Sequence, residues 1–450
     1  METGKREKLY PKGVRGRFRH LRWAVTAASL GVFFLLPWLT IDGRQALLFD
    51  IPNRKFYIFN LIFWPQEVYY LAFLLVFLVI ALFLFTAVAG RLWCGYACPQ
   101  TVFTDIFISI ERFIEGERNE RIALDKAGFS NGKAVKKAVK HAVWIIFSFA
   151  TAFAFVSFFV PPAVLIERLF TGNLTSANLF WLGLFTLTTY GDCAFLRELM
   201  CLVPCPYGRF QSALFDTDTL IIGYDSKRGE PRTHGKKKES GGDCVDCTLC
   251  VQVCPTGIDI RNGLQYECIA CAQCIDACDT VMGKLGRPKG LIRYGSLKSI
   301  AGGETKVLRP RLVLYAVCLT ALLIMMVYKV SMRSPIDLEV LRDRSALFQT
   351  GKDGRISNIY TIKAMNMDSR DHQYSIKAKG IKAEIIVGKN PITVKSGEVY
   401  QTSLALILDG DEIENRVSRF DFIIEDVEDP EISAKRQSTF LVPETSVAKR

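Results

Sequence analysis

The chain has 450 residues, half of them hydrophobic, and a formal net charge of +12. This length predicts several structural units, and the long apolar runs exclude a purely soluble protein. The basic excess lies beside those runs, which indicates membrane orientation rather than a nucleic-acid-binding surface.

Five stretches are apolar and long enough to cross a bilayer, which takes roughly 20 residues each. They lie at about 22–40, 68–90, 141–160, 178–195 and 311–330. Basic residues are concentrated before the first span, between the second and third spans, and between the fourth and fifth spans. The positive-inside rule therefore predicts that these three segments are cytoplasmic and that the chain after the fifth span lies outside.

The segments around the first span carry weaker signals. Residues 1–21 form a basic tail, which we expect to be mobile. The segment 41–67 is rich in aromatic residues, and we expect it to lie at the membrane interface.

A C-x3-C-P motif occurs twice, each time near the inner end of a predicted span. Cys94 and Cys98 form the first copy, and Cys201 and Cys205 form the second. Residues four apart on a helix share one face, but a following proline disfavours helix at the second cysteine of each copy. The pairs are therefore expected either on a helix face or on a turn, with two thiols close together in both cases. Buried packing cysteines are the alternative. The duplication favours a metal or redox role, because thiolates select Cu(I) and other soft metals.

Polar residues accompany the second copy of the motif. Asp192, Arg197 and Glu198 precede it and are expected to form an interfacial ion pair. Arg209 and Gln211 follow Cys205 and are candidates to shape the thiol site.

Two cysteine runs of the form C-x2-C-x2-C-x3-C lie between residues 243 and 279. In two-cluster bacterial ferredoxins the fourth cysteine of each run binds the other 4Fe-4S cluster. This predicts one cluster on Cys244, Cys247, Cys250 and Cys278, and a second on Cys268, Cys271, Cys274 and Cys254. Zinc sites usually pair two C-x2-C halves, and disulfides need an oxidising compartment, so both alternatives are disfavoured. The four histidines of the chain do not supply an intramembrane haem pair, so no haem is expected.

After the fifth span, short strand-like runs alternate with turn signals. This spacing predicts a small β-sandwich. The segment contains no cysteine and no visible catalytic set, so we interpret it as an interaction domain.

The chain resembles the CcoG/FixG-type accessory proteins for cbb-type cytochrome c oxidase over essentially its whole length. The resemblance rests on IDGRQ at 41–45, WCGYACPQ at 93–100, CPYGRFQ at 205–211 and the two cysteine runs. The membrane part is also similar to the wider NapH-type ferredoxin membrane proteins, and the C-terminal part resembles an Ig-like domain. The resemblance implies a bacterial inner-membrane protein that reduces Cu(II) to Cu(I) for oxidase copper insertion. The family's copper-associated pairs correspond to Cys94, Cys98, Cys201 and Cys205 here.

The predicted fold class is a multi-domain membrane protein with a five-helix transmembrane α bundle, a two-cluster bacterial ferredoxin-like insert and a C-terminal all-β Ig-like sandwich. Its predicted parts are a basic cytoplasmic tail (1–21), transmembrane helices 1–4 with both C-x3-C-P motifs (22–216), a cytoplasmic linker and ferredoxin module (217–310), transmembrane helix 5 (311–330) and a periplasmic β domain (331–450).

The resemblance implies two 4Fe-4S clusters and copper as a candidate further metal. The implied partners are the cbb-type oxidase assembly machinery, a copper chaperone or exporter, and a cytoplasmic electron donor. Two alternatives stay open. One is a quinol-linked NapH-like electron-transfer subunit, and the other is a non-catalytic assembly scaffold whose clusters are structural or sense redox state.

Overall fold

The structure is a computed structural model that describes residues 8–41, 43–233, 241–343, 347–351, 355–368, 370–408 and 416–443. The chain divides into two compact units. The first consists of Met1–Leu39 and Tyr69–Ile324, and the second of Thr40–Val68 and Met325–Arg450.

Fifteen α-helices occur in the described part of the chain, most of them in the first unit. They are α1 (Arg17–Leu35), α2 (Val68–Ala89), α3 (Leu92–Tyr96), α4 (Pro99–Glu115), α5 (Arg118–Lys126), α6 (Asn131–Val156), α7 (Pro162–Thr171), α8 (Ser176–Gly191), α9 (Glu198–Leu202), α10 (Pro206–Leu214), α11 (Ser226–Gly229), α12 (Leu249–Gln252), α13 (Gln273–Lys284), α14 (Leu297–Ile300) and α15 (Pro310–Ser331). A π-helical turn, Asp192–Leu196, continues α8.

Five helical stretches of the described chain are long and apolar enough to cross a membrane, which confirms the five predicted spans. They are Arg17–Trp38, Pro65–Ala89, Asn131–Val156, Ser176–Leu196 and Pro310–Ser331. The first and third begin earlier than hydropathy predicts, because their first turns are helical but polar.

The early start of α1 has a specific cause in the fold. The carboxylate of Asp276 on α13 accepts hydrogen bonds from the backbone N–H groups of Phe18, at 3.2 Å, and Arg19, at 2.7 Å. A helix N-terminus has free N–H groups and a positive dipole end, so a carboxylate stabilises it. The helix therefore begins at Arg17 and not at the predicted residue 22.

The prediction of a mobile tail over 1–21 is corrected in two ways. Residues 17–21 are helical, and the segment before them lies against the cysteine-rich part of the chain. The backbone N–H of Lys12 donates to the carbonyl of Gln252 at 2.9 Å, and Arg121 donates to the carbonyl of Pro11 at 2.6 Å. Residues 1–7 lie outside the described part of the chain.

The cysteine-rich segment folds as a small module closed by one antiparallel strand pair. Ile221–Tyr224 pairs with Ile292–Gly295, and both cysteine runs lie between these strands. The strands, α12 and α13 share a buried apolar core with the cysteines, which includes Ile222, Ile275 and Met282. The predicted linker thus contributes a strand to the module itself.

The second unit contains two antiparallel sheets that enclose one apolar core, so the predicted β-sandwich is confirmed. One sheet has the strand order Glu384–Val387, Val399–Leu408, Ile356–Asn366 and Ile336–Arg342, with Gln349–Thr350 also paired to Ile356–Asn366. The other has the order Ile392–Val394, His372–Lys379, Val417–Asp426 and Ser433–Leu441. Alternate residues along Ile356–Asn366 are buried, as expected for strands with one face on a core.

The segment 41–67 belongs to this second unit, and its predicted place at the membrane interface stays a prediction. It forms a three-stranded antiparallel sheet of Leu47–Asp50, Lys55–Ile58 and Leu61–Phe63, and a strand pair of Thr40–Ile41 with Arg44–Gln45. Its last residues are joined to the β domain by an ion pair between Arg333 Nε and Glu67 Oε1, at 2.6 Å. The β unit therefore includes Thr40–Val68 as well as Met325–Arg450, and the start of the β domain at residue 331 stays a prediction.

Candidate iron-sulfur and thiol site

The eight cysteines of the two runs surround two separate cavities in the first unit. Cys244, Cys247, Cys250 and Cys278 line one cavity, together with Tyr224, Arg261 and Met282. Cys254, Cys268, Cys271 and Cys274 line the other, together with Ile222, Ile258 and Ile260. Cys250 also borders the second cavity. These are the two quartets that the crossed pairing predicts, while ligation itself stays a prediction.

The two runs share one unusual backbone conformation. In the first run, Asp246 and Thr248 have φ of 49° and 56°, and they flank Cys247. In the second run, Ala270 and Ala272 have φ of 54° and 58°, and they flank Cys271. Non-glycine residues rarely adopt positive φ, so its repetition at equivalent positions indicates a shared demand on the loop. A loop that directs three thiols toward one centre needs sharp backbone turns of this kind.

The donor set fits iron-sulfur clusters better than single ions. In the described residues, no three His, Cys, Asp or Glu side chains are arranged to hold one metal ion. A mononuclear zinc site would need such a group, whereas a cluster accepts thiolates spread around a larger centre. Burial raises the pKa of Cys250 to about 11 and that of Cys278 to about 12. These thiols are therefore neutral near pH 7 unless a bound cation stabilises the thiolates.

The two C-x3-C-P motifs have the same local structure. Cys94 lies in α3 and Cys201 in α9, both single-turn helices. Cys98 and Cys205 are the residues before α4 and α10, with extended backbones at φ −60°, ψ 128° and φ −68°, ψ 109°. Each is followed by a proline at the first helical position, where proline's missing N–H costs nothing. In both copies the first cysteine is therefore helical and the second lies at a turn between two helices.

The two thiol pairs converge. The side-chain amide of Gln211, on α10, donates to Cys94 Sγ at 3.4 Å, so the second motif contacts the first. Burial, followed by the charges of Cys98, Cys94 and Cys205, raises the pKa of Cys201 to about 12. The second thiol turn therefore lies beside the first, and Gln211 makes the contact between them. Copper ligation by these four thiols stays a prediction, because no three of them are arranged around a single ion.

The first thiol turn packs directly on the loop that carries Cys268 and Cys271. A Cβ atom placed on Gly95 would lie 2.7 Å from the carbonyl oxygen of Ile269 and 2.8 Å from that of Ala270. Only glycine permits this backbone approach, so Gly95 brings the thiol turn against the second cysteine quartet. The same region contains a cavity lined by Cys201, Gln100, Thr101, Pro255 and Thr256, among others.

Sequence reasoning missed the charge cluster that lies beside the thiol turns. Glu111 on α4 is fully buried, and Arg197, Lys8, Arg121 and Lys140 place nitrogen atoms 3.1–3.5 Å from its carboxylate. Burial raises the pKa of Glu111, but these cations together lower it to about 2.

The predicted ion pair among Asp192, Arg197 and Glu198 is therefore corrected. Arg197 pairs with Glu111, and Asp192 instead accepts a hydrogen bond from Gln100 at 3.1 Å. Partners that lie far apart in the sequence leave no local pattern, so no periodicity or motif could have revealed this pairing.

Three family descriptions match parts of the chain. A "4Fe-4S dicluster domain" matches residues 196–297, and a "4Fe-4S binding domain" matches residues 71–115, whose cysteines are Cys94 and Cys98. The third, "IG-like fold at C-terminal of FixG", matches residues 326–443.

Whole-length relatives agree with these matches. Protein RdxB of Cereibacter sphaeroides is 40% identical over 418 residues, which cover 88% of this chain and 87% of the relative. Protein RdxA of the same organism is 41% identical over 392 residues, covering 83% of each chain. The nitrogen fixation protein FixG of Rhizobium meliloti is 39% identical over 421 residues, covering 84% of this chain and 80% of FixG.

A crystal structure of a FixG-related protein from Vibrio parahaemolyticus is 27% identical and covers 24% of this chain and 97% of that chain, with a TM-score of 0.22. Identity near 40% over more than four-fifths of the chain, together with both iron-sulfur matches and the C-terminal match, shows that this chain belongs to the FixG/CcoG family of membrane iron-sulfur redox proteins.

Proposed function

We propose that this protein reduces Cu(II) to Cu(I) at Cys94, Cys98, Cys201 and Cys205, and that the Cu(I) serves assembly of a cbb-type cytochrome c oxidase. Each copper ion takes up one electron, which a one-electron donor in the cytoplasm supplies. The similarity to FixG and the dicluster match support a membrane iron-sulfur redox role, and the reduction of copper is the part that we propose.

One observation carries the proposal, namely the contact of Gly95 with the backbone of Ile269 and Ala270. It joins the four thiols to the loop of the second cysteine quartet without an intervening side chain. When bound, 4Fe-4S clusters supply one-electron transfer, and the eight cysteines of the runs would hold them. Short separation between donor and acceptor sites is what an electron-transfer reaction requires.

The thiols themselves favour the reduced ion. Thiolate sulfur is a soft ligand and selects Cu(I), so binding at these cysteines stabilises the product of the one-electron step. Two thiolates are enough for Cu(I), which is consistent with four thiols that converge without forming a three-ligand site. Incomplete coordination also leaves the ion able to move on to a chaperone or exporter.

The test compares variants that remove thiol pairs. Cys94→Ala/Cys98→Ala and Cys201→Ala/Cys205→Ala are expected to lose Cu(II) reduction while their iron content stays at the wild-type level. Cys193→Ala/Cys318→Ala is the matched control, because Cys193 packs with Phe107 and Trp144 and Cys318 lies within α15. Wild-type rates of Cu(II) reduction in both pair variants would rule out the thiol site.

We infer the membrane orientation from the basic segments. The thiol pairs and both cysteine runs would then lie on the cytoplasmic face, and the β unit on the periplasmic face, where it would contact a partner in oxidase assembly. Fusions of a periplasm-active reporter after residue 443 are expected to be active, and fusions at residue 233 inactive. The reverse pattern would contradict the orientation.

A second candidate is quinol-linked electron transfer, and one cavity favours it. The cavity is lined by Lys140, His141, Trp144 and Phe195, among others, between the middle of α6 and the π-helical turn that follows α8. His141 Nδ1 lies 2.9 Å from the hydroxyl of Tyr190, so the ring is held in place. Quinol-dependent reduction of the iron-sulfur centres that His141→Leu abolishes would support this role, and indifference to added quinol would count against it.

A further inference from the structure

Arg91 is a buried cation at the junction of the three cysteine-bearing segments. It lies between α2 and α3, directly before the first thiol turn, and only 7% of its surface is exposed. Burial of a guanidinium is costly unless hydrogen bonds and an opposite charge compensate it.

The guanidinium donates to two different backbone carbonyls. One terminal nitrogen, Nη2, donates to the carbonyl of Gly208, in the helix that follows Cys205, at 2.8 Å. The other, Nη1, donates to the carbonyl of Tyr266, just before Cys268. The same guanidinium lies over the Tyr266 ring, 5.0 Å from its centroid, and the Tyr266 hydroxyl donates to the carbonyl of Leu202 at 3.4 Å. Arg91 therefore joins the first thiol turn, the second thiol turn and the loop of the second quartet.

The charge of Arg91 is compensated differently from that of the other buried arginines. Arg19 and Arg22 pair with Asp105, and Arg121 and Arg197 pair with Glu111. Within the residues that the structure describes, Arg91 has no carboxylate at ion-pair distance. Arg91 is three residues before Cys94, and the Tyr266 carbonyl that it contacts is two residues before Cys268. The ionisable groups near its charge include the thiols of Cys94 and Cys268 and the hydroxyl of Tyr207.

We propose that Arg91 is a positioning residue and the shared counter-cation of the four-thiol site and the Cys254, Cys268, Cys271 and Cys274 quartet. This role rests on the proposed function for its effect on copper. Its effect on the quartet is separate, because a buried positive charge favours the more negative redox state of any centre bound there. Arg91 thereby fixes the distance between the two sites and biases the quartet next to the thiols toward higher potential.

The test separates charge from positioning. Redox titration followed by electron paramagnetic resonance measures the midpoint potentials of the two iron-sulfur centres. In Arg91→Gln we expect the midpoint potential of one centre to fall and that of the other to stay at the wild-type value. Arg91→Lys keeps the positive charge but cannot donate to the carbonyls of Gly208 and Tyr266 at the same time. Both midpoint potentials are therefore expected to stay near wild type while Cu(II) reduction slows. Loss of this positioning is expected to slow copper reduction roughly 10- to 100-fold. Arg419→Gln, an exposed arginine in the β unit, is the control and should change neither quantity.

The outcomes distinguish this inference from the proposed function. Unchanged midpoints in Arg91→Gln would overturn the counter-cation role, whether or not the protein reduces copper. A wild-type protein that does not reduce Cu(II) would refute the proposed function, yet the midpoint comparison would still decide the role of Arg91. Should Arg91→Gln fail to fold, Tyr266→Leu at an exposed position removes the ring contact and the Leu202 contact. Tyr266→Leu is then expected to slow copper reduction without loss of iron. Wild-type rates of copper reduction would count against the role of Arg91 and Tyr266 in joining the two sites.

Discussion

The side-chain amide of Gln211 donates a hydrogen bond to the sulfur of Cys94, and this contact joins the two copies of the duplicated motif. Gln211 is fully buried, and it lies six residues after Cys205 in the second copy. A donor at this position stabilises a thiolate at Cys94, and it opposes the burial that raises the pKa of this thiol to about 11. The second motif thus favours the thiolate form of Cys94, which the proposed copper site requires.

Gln211→Leu is expected to weaken Cu(I) binding and slow Cu(II) reduction, because Cys94 loses the donor that favours its thiolate. A lost hydrogen bond to a charged group costs about 1.5–3 kcal/mol, or roughly 10- to 100-fold in affinity. Competition with a Cu(I) chelator measures the affinity. Gln211→Glu places an acceptor and a negative charge beside the sulfur, so it should be more harmful. Equal affinities in wild type and both variants would show that the amide does not act on the thiol.

Gly95→Ala is expected to slow electron transfer to copper without loss of iron. The new methyl group would meet the backbone carbonyls of Ile269 and Ala270 at 2.7–2.8 Å, so the thiol turn must move away from the quartet loop. Single-turnover reoxidation of the pre-reduced protein by Cu(II) measures the rate. Gly183→Ala is the control, since nothing lies within 4 Å of its added Cβ. A rate unaffected by Gly95→Ala would remove the observation on which the copper proposal depends.

The sequence predicts well those features that depend on local pattern. Apolar runs identify all five spans, cysteine spacing groups the two quartets, and proline position places Cys98 and Cys205 on turns. These signals work because a span, a cluster loop and a helix start are each determined by residues close together in the chain.

The features that escaped prediction depend on distant partners. Asp276 caps α1 from a position more than two hundred residues away, Glu111 gathers cations from four segments, and Glu67 pairs with Arg333 across the chain. Each of these residues looks like an ordinary surface charge in the sequence. Only the tertiary fold shows that they are buried and paired, which is why the sequence does not reveal the contacts of the tail or the inclusion of 41–67 in the β unit.

Gly16→Ala is expected to destabilise the protein, because the Asp276 carboxylate contacts the N-terminus of α1 next to Gly16. An added Cβ would lie 2.3–2.6 Å from the Asp276 side chain, so the cap on Phe18 and Arg19 would be displaced. Loss of a helix cap costs about 0.5–2 kcal/mol. Gly31→Ala lies in the same helix with nothing within 4 Å, and it should be neutral or slightly stabilising. Thermal unfolding in detergent compares the two, and equal midpoints would contradict the capping role.

Glu111 makes stability depend on pH in a defined window. Its carboxylate is surrounded by Arg197, Lys8, Lys140 and Arg121, and its pKa is lowered from 4.5 to about 2 although burial opposes this. A lowered pKa means that the folded state holds this proton less tightly than the unfolded chain. The stabilisation is therefore complete above the unfolded pKa of 4.5 and is lost as pH falls toward about 2. The shift corresponds to roughly 3 kcal/mol.

Glu111→Gln should accordingly be less stable than wild type at pH 7, because three buried cations and the exposed Lys8 lose their shared anion. Removing one partner of a buried ion pair costs about 3–5 kcal/mol. The difference should shrink between pH 4.5 and pH 2, where the wild-type carboxylate becomes protonated. Denaturant unfolding at several pH values measures it, with Glu304→Gln at an exposed site as the control. A difference that stays constant down to pH 2 would show that Glu111 stabilises the fold through packing and not through its charge.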